Sequence, residues 1–296
     1  MLPRTRGKVK VQALWVGGGG TQVRDDQLAV EEPLEIRLSS GSNARTLAVT
    51  MRTPGHDFEL AAGFLVGEGV LSNRQDIIQV SYCLDGVPND PQMYNVVNVQ
   101  LRAAELPDLP SLERHFMTSS SCGVCGKASL DSLRVRAQPL PRGSERVSEA
   151  VLLRLPQELS SRQRIFHATG GLHAAALFDL DGRLIQVRED VGRHNALDKL
   201  VGWALLNDMV PLTRHILLVS GRSSFEILQK ALAVRIPVVA AVSAPSSLAV
   251  ELAKEFEITL IGFLRQASFN VYTAPWRVVA SSAQVLDSPV VEVMGG

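Results

Sequence analysis

From residue 166 to residue 264 the chain alternates short apolar runs with segments whose apolar residues recur every three to four positions, which leaves few folds open. Leu172–Leu180 and Arg183–Arg188 read as strands around Asp181-Gly182, a strong hairpin signal. A helix follows, with Ala196, Leu197, Leu200, Val201, Ala204 and Leu205 on one face. Then come strand His215–Val219, helix Ser224–Val234, strand Val238–Val242, helix Pro245–Phe256 and strand Thr259–Leu264. Continuous apolar strands separated by helices predict an α/β unit with a largely parallel sheet covered on both faces.

The N-terminal part has a different grain. Residues 1–28 are polar, contain Gly17-Gly18-Gly19-Gly20, and predict an irregular arm with one short strand around Val9–Val16. Residues 29–101 predict a mixed α+β unit with strands Leu34–Leu38, Thr46–Arg52, Ile77–Cys83 and Tyr94–Leu101. Pro54 opens a helix carrying Phe58, Ala61, Ala62 and Leu65, which ends near Gly67 and Gly69. Residues 102–165 are poor in strands and rich in small, turn-forming residues. At 296 residues two domains are expected. They are an N-terminal α+β domain over 1–117 and an α/β domain over 166–296, joined by a segment over 118–165.

Charge narrows the chemistry. Lys plus Arg and Asp plus Glu both number 30, so no global field draws nucleic acid or an anionic membrane, and an anion must be met by a local site. Three cysteines make no disulfide framework and point to a reducing compartment. No apolar stretch reaches the roughly 18 residues that span a bilayer. Met1-Leu2-Pro3-Arg4 lacks the apolar core of a secretory signal, so a cytoplasmic protein is expected.

Cys122-Gly123-Val124-Cys125 is the clearest reactive feature. Two thiols at this spacing suit half of a zinc site, a dithiol redox couple or a persulfide sulfur carrier; two inert small residues are the bland reading. Tetrahedral zinc wants four ligands, and adding His115 still leaves the set one short, so no metal is expected. A persulfide carrier needs an accessible thiolate on a mobile segment. The Ser and Gly flanks provide the segment, and Lys127 favours the thiolate. Cys83 sits in an apolar strand pattern and reads as a core residue.

Three strand-to-helix junctions form a second constellation: Glu189–Asn195, Ser220–Ser224 and Ser243–Ser247. On parallel strands all three open at one sheet edge, where helix N-termini present free N–H groups to phosphate. Arg193, Arg222 and Ser223 are candidate contacts, and the helix dipole should keep His194 neutral as a hydrogen-bonding group. Capping alone also fits: Ser223 to Glu226 matches a capping box and Asp190 an N-cap. His167 and His173 read as satisfied polar residues in or beside strands. The segment Phe263–Thr273 starts at the same edge and either closes over a ligand, with Arg265, or simply extends the sheet.

These residues resemble the formate dehydrogenase accessory sulfurtransferases (FdhD) from about Asp26 to Thr273. The resemblance is carried by Glu32–Ile36, Gly63–Val70, Cys122–Gly126, Thr169–His173, Glu189–Lys199, Ser220–Arg222 and Asn270–Thr273. It implies a sulfur carrier that takes sulfur as a persulfide from a cysteine desulfurase. The sulfur then passes to the molybdenum or tungsten bis(molybdopterin guanine dinucleotide) cofactor, carried as substrate, before insertion into the formate dehydrogenase apoenzyme. It implies Cys122 as the persulfide residue, Cys125 as its assistant, and a homodimer. The cofactor stretch maps to Phe263, Leu264, Arg265, Gln266, Ala267 and Ser268, where Gln266 and Ser268 replace the glycine and basic residue of the family pattern. The family's C-terminal unit is similar to the cytidine deaminase fold, in line with the strand order above. Gly192-Arg193-His194-Asn195 and Gly221-Arg222-Ser223-Ser224 lack a deaminase's zinc ligands and catalytic glutamate, which excludes that activity. The rival readings are a cofactor-binding chaperone without sulfur chemistry and a small zinc-binding regulatory domain.

Overall fold

The computed structural model describes residues 7–83, 94–107 and 137–280; Cys122, Cys125 and the expected domain boundary at residue 117 lie outside them. In chain order the strands are β1 (Lys8–Gly17), β2 (Gly20–Ala29), β3 (Glu32–Ser40), β4 (Asn43–Arg52), β5 (Ile77–Tyr82), β6 (Val96–Leu101) and β7 (Val147–Ser148). They continue as β8 (His173–Asp179), β9 (Leu184–Asp190), β10 (His215–Val219), β11 (Val238–Ala241), β12 (Thr259–Gly262), β13 (Asn270–Val271) and β14 (Val278–Val279). The helices are α1 (Asp57–Gly67), α2 (Glu149–Arg162), α3 (Arg164–Thr169), α4 (Arg193–Leu206), α5 (Phe225–Ala233) and α6 (Ser247–Glu255). None of these helices is long and apolar enough to cross a membrane.

Six strands form the larger sheet in the order β13-β12-β11-β10-β8-β9. β10, β11 and β12 are parallel and almost wholly buried, as their continuous apolar runs require. The sheet is nevertheless mixed rather than largely parallel, because β8 runs antiparallel to both β9 and β10, and β13 antiparallel to β12. A tight Asp181-Gly182 turn can join only antiparallel strands. Gly182 takes a φ of +81°, and Asp179 Oδ1 accepts the N–H groups of Asp181 and Arg183. Two reversals restore direction, so β9 runs with β10–β12 and their carboxyl ends share one edge.

Both faces are covered. α4, α5 and α6 lie on one face, where Leu197, Leu200, Leu228 and Leu252 join Ala175, Leu217 and Val239. α2 covers the other with Leu152, Leu155 and Leu159 against Ala176, Phe178 and Ile216. No helix is named for this stretch in the sequence reading, and the helix that forms there holds Pro156 in its interior. Ser148 starts the helix by accepting the Val151 N–H at 3.2 Å, and burial of its leucine stripe outweighs one missing backbone bond.

The smaller sheet has the order β4-β3-β6-β5, with β3 and β6 parallel. Its inner face, with Leu34, Ile36 and Val97, shares one hydrophobic cluster with α1 and α4. Those two helices cross at glycines. A Cβ on Gly63 would sit 1.8 Å from the Asp198 carbonyl oxygen, and one on Gly202 would sit 1.8 Å from that of Glu59.

The expected irregular arm is instead a regular ribbon: β1 and β2 pair through ten rungs from Lys8↔Ala29 to Gly17↔Gly20. Gly18 and Gly19, at φ +58° and +82°, supply the two positive dihedrals of a two-residue hairpin turn. Both ribbon faces are open to solvent, so no alternation of apolar and polar residues marks β2.

Candidate functional site

The carboxyl ends of β9, β10, β11 and β12 bring the three junctions and the Phe263–Ser268 segment to one edge. Neighbouring junctions are tied by backbone: Ser223 bridges Pro245, and the Ser246 N–H donates to the Ser223 carbonyl at 3.0 Å. The last segment is anchored in the same way. Phe263 N–H donates to Ser243 O at 3.1 Å and Leu264 N–H to Ala241 O at 3.0 Å.

The stretch Glu189–Lys199 divides into two jobs. Asp190 is fully buried and does not cap α4, whose N-cap is Gly192. Its carboxylate instead meets Lys199 Nζ at 2.6 Å and accepts from Thr53 N at 3.1 Å, Gly192 N at 2.9 Å and Asn195 Nδ2 at 3.1 Å. Lys199 also donates to Thr53 O at 2.8 Å, and Asn195 to Met51 O at 2.8 Å. Asp198 takes Lys230 Nζ at 2.8 Å. Glu189 caps α3 by accepting the N–H groups of Ile165 and Phe166. Most of this distinctive run therefore fastens the two sheets together, while Arg193 and His194 remain at the edge.

His194 is mostly buried at the start of α4. Its Nδ1 lies 3.2 Å from a Glu226 carboxylate oxygen and its Nε2 3.2 Å from Ser224 Oγ. Burial, opposed by Glu226 and reinforced by Arg193 and Lys230, holds its pKa down at about 4. The neutral imidazole matches expectation; desolvation leads its causes. A neutral ring beside a carboxylate must carry its proton on Nδ1, so Nε2 accepts the Ser224 hydroxyl. His173 is also held below its usual range, by burial and then by Arg193.

The capping-box reading of Ser223 to Glu226 is not what forms. Ser224 is the N-cap of α5 and caps nothing with its side chain. Ser223 is fully buried, with no partner for its hydroxyl among the described residues. Glu226 turns to His194 and to Lys230, whose Nζ is 3.7 Å away. Ser246 does cap α6, accepting the Ala249 N–H at 3.3 Å.

In the Phe263–Ser268 segment, Leu264 is buried in the core, whereas Phe263, Arg265, Gln266, Ala267 and Ser268 are exposed. Arg265 N–H donates to Ser268 O at 2.9 Å, rounding the loop before β13. The Arg265 guanidinium donates to the carbonyls of Val242 and Leu264. Arg222 is exposed at the junction after β10. The edge thus gathers Arg193, Arg222, Arg265, neutral His194 and two serines around open helix starts, a set suited to an elongated anion. Sequence reasoning missed Ser224 and the outward part of Glu226. The signal available was Lys230, a cation four residues after Glu226 on an otherwise apolar helix face.

The chain is similar to known proteins over most of its length. A Streptomyces coelicolor protein named sulfur carrier protein FdhD is 55% identical over 268 residues, covering 90% of this chain and 93% of its own. One of the same name from Mycobacterium tuberculosis is 52% identical over 259 residues, covering 86% and 92%. A crystal structure described as that of a formate dehydrogenase accessory protein, from Desulfotalea psychrophila, superposes with a TM-score of 0.71 at 25% identity. It covers 92% of this chain and 100% of that one. The model of the FdhD/NarQ family matches residues 29–279, from the end of the ribbon through the edge to β14, and the chain belongs to that family.

Proposed function

We propose that this protein is a sulfur carrier for the maturation of formate dehydrogenase. The observation that carries the reading is Cys122-Gly123-Val124-Cys125 in a chain whose relatives are named sulfur carrier proteins. The Cys122 thiolate attacks the outer sulfur of a cysteine desulfurase persulfide. A new S–S bond forms on Cys122, the old one breaks, and the desulfurase leaves as a thiolate without net oxidation. Cys125 then assists release of that sulfur. The recipient is the molybdenum or tungsten bis(molybdopterin guanine dinucleotide) cofactor, a substrate whose phosphates lie along the edge of the three helix starts and Phe263–Ser268. The α/β unit is of cytidine deaminase type without the metal, and the carrier works as a homodimer.

Incubation with a cysteine desulfurase and cysteine is expected to add about 32 Da, one sulfur, by intact-mass spectrometry, and Cys122→Ala is expected to abolish the adduct. An adduct surviving that change removes the role from Cys122. Cells carrying Cys122→Ala should lose formate dehydrogenase activity, whereas a pure chaperone would still sustain it. At the edge, Arg265→Ala is expected to weaken GDP binding at least about threefold, because an exposed guanidinium contributes a charge-assisted bond. Unchanged affinity by calorimetry takes Phe263–Ser268 out of the site.

A further inference from the structure

An edge built for phosphates should exclude carboxylates, yet it holds one within reach of solvent. The junction segments 189–195, 220–226, 243–247 and 263–268 contain Glu189, Asp190 and Glu226. Glu189 spends both oxygens on backbone N–H groups, and Asp190 is buried under Lys199. Glu226 differs: its side chain is 39% exposed. One oxygen meets His194 Nδ1 at 3.2 Å and the other Lys230 Nζ at 3.7 Å. A carboxylate has about four lone-pair sites, so two acceptor positions remain. His194 is itself tethered by Ser224, and Lys230 by buried Asp198, so the carboxylate is fixed in direction at the α5 start.

An anchored carboxylate on an edge that also carries Arg193, Arg222 and Arg265 repels phosphate locally. It suits a neutral group that presents two adjacent N–H donors. Given the cofactor site proposed above, we infer that Glu226 receives the donor edge of a 2-amino-4-oxopyrimidine ring. That edge, a ring N–H beside an exocyclic amine, belongs alike to guanine and to a pterin. Two parallel N–H···O bonds to a charged acceptor give orientation as well as affinity. Glu226 thereby sets which way round an elongated nucleotide lies, with its phosphates toward the arginines.

Calorimetry with GDP, IDP (which lacks the 2-amino group) and 6-hydroxymethylpterin tests this on wild type and Glu226→Gln. If guanine sits here, wild type binds GDP at least about tenfold tighter than IDP, the scale of one hydrogen bond to a charged group. Glu226→Gln then removes that preference, while IDP, which keeps only the ring N–H and meets an amide oxygen in place of the carboxylate, loses less than GDP does; an unchanged melting midpoint shows that the variant is folded. If the pterin end sits here, GDP and IDP bind alike, and 6-hydroxymethylpterin loses at least about tenfold in Glu226→Gln. GDP binding that depends on Arg265, with neither GDP nor pterin sensitive to Glu226, overturns this inference and leaves the cofactor edge standing. No binding of any probe to wild type overturns both.

Discussion

Gly202→Ala should lower the stability of the protein by about 3 kcal/mol, the upper end for forcing a methyl group into a packed interior. Its Cβ would meet the Glu59 carbonyl oxygen at 1.8 Å and the Gly63 nitrogen at 2.7 Å. These are backbone atoms in a helix, so no side chain can swing aside and α1 must move bodily from α4. Gly63→Ala should act alike through the Asp198 carbonyl. Gly171→Ala is the matched control: its nearest neighbour would be the Ala29 methyl at 3.5 Å, an ordinary contact, and it should be nearly neutral. Denaturant midpoints at unchanged slope measure this; a loss below about 1 kcal/mol for Gly202→Ala would mean that the helices separate freely.

Lys199→Met should cost about 3–5 kcal/mol, because it strands a carboxylate at a fully buried position. Asp190 would keep its bonds from Thr53, Gly192 and Asn195 but lose the cation 2.6 Å away. Adding Asp190→Asn should return part of that loss, since the neutral amide still accepts hydrogen bonds and leaves no buried charge. A double-mutant cycle should give a coupling of more than about 1 kcal/mol, as expected for side chains in contact. Strictly additive losses would show that the pair does not act as a unit.

Strands β10–β12 and helices α4–α6 were legible because their burial is set by local pattern. The apolar run of His215–Val219 and the stripe on α5 each have one reasonable partner face. β2 and α2 were not, for opposite reasons. β2 is exposed on both sides, so its pairing is held by the Gly18–Gly19 turn and leaves no periodic trace. α2 hides behind Pro156, whose local cost is overridden by leucines that meet the sheet only after folding. The edge itself was visible, because helix starts after parallel strands must converge. The partners of its charges were not. Asp190 and Glu226 look like caps in sequence, and only the arrival of Lys199, Thr53 and His194 from other elements assigns them elsewhere.

The buried imidazole at the start of α4 has a quieter consequence. With His194 neutral down to about pH 4, and the other edge cations being guanidinium groups, the electrical sign of this rim is nearly constant across the physiological range. Acidification of the surroundings would therefore leave the charge of this rim unchanged, and any pH dependence of phosphate binding there would come from the ligand's own titration.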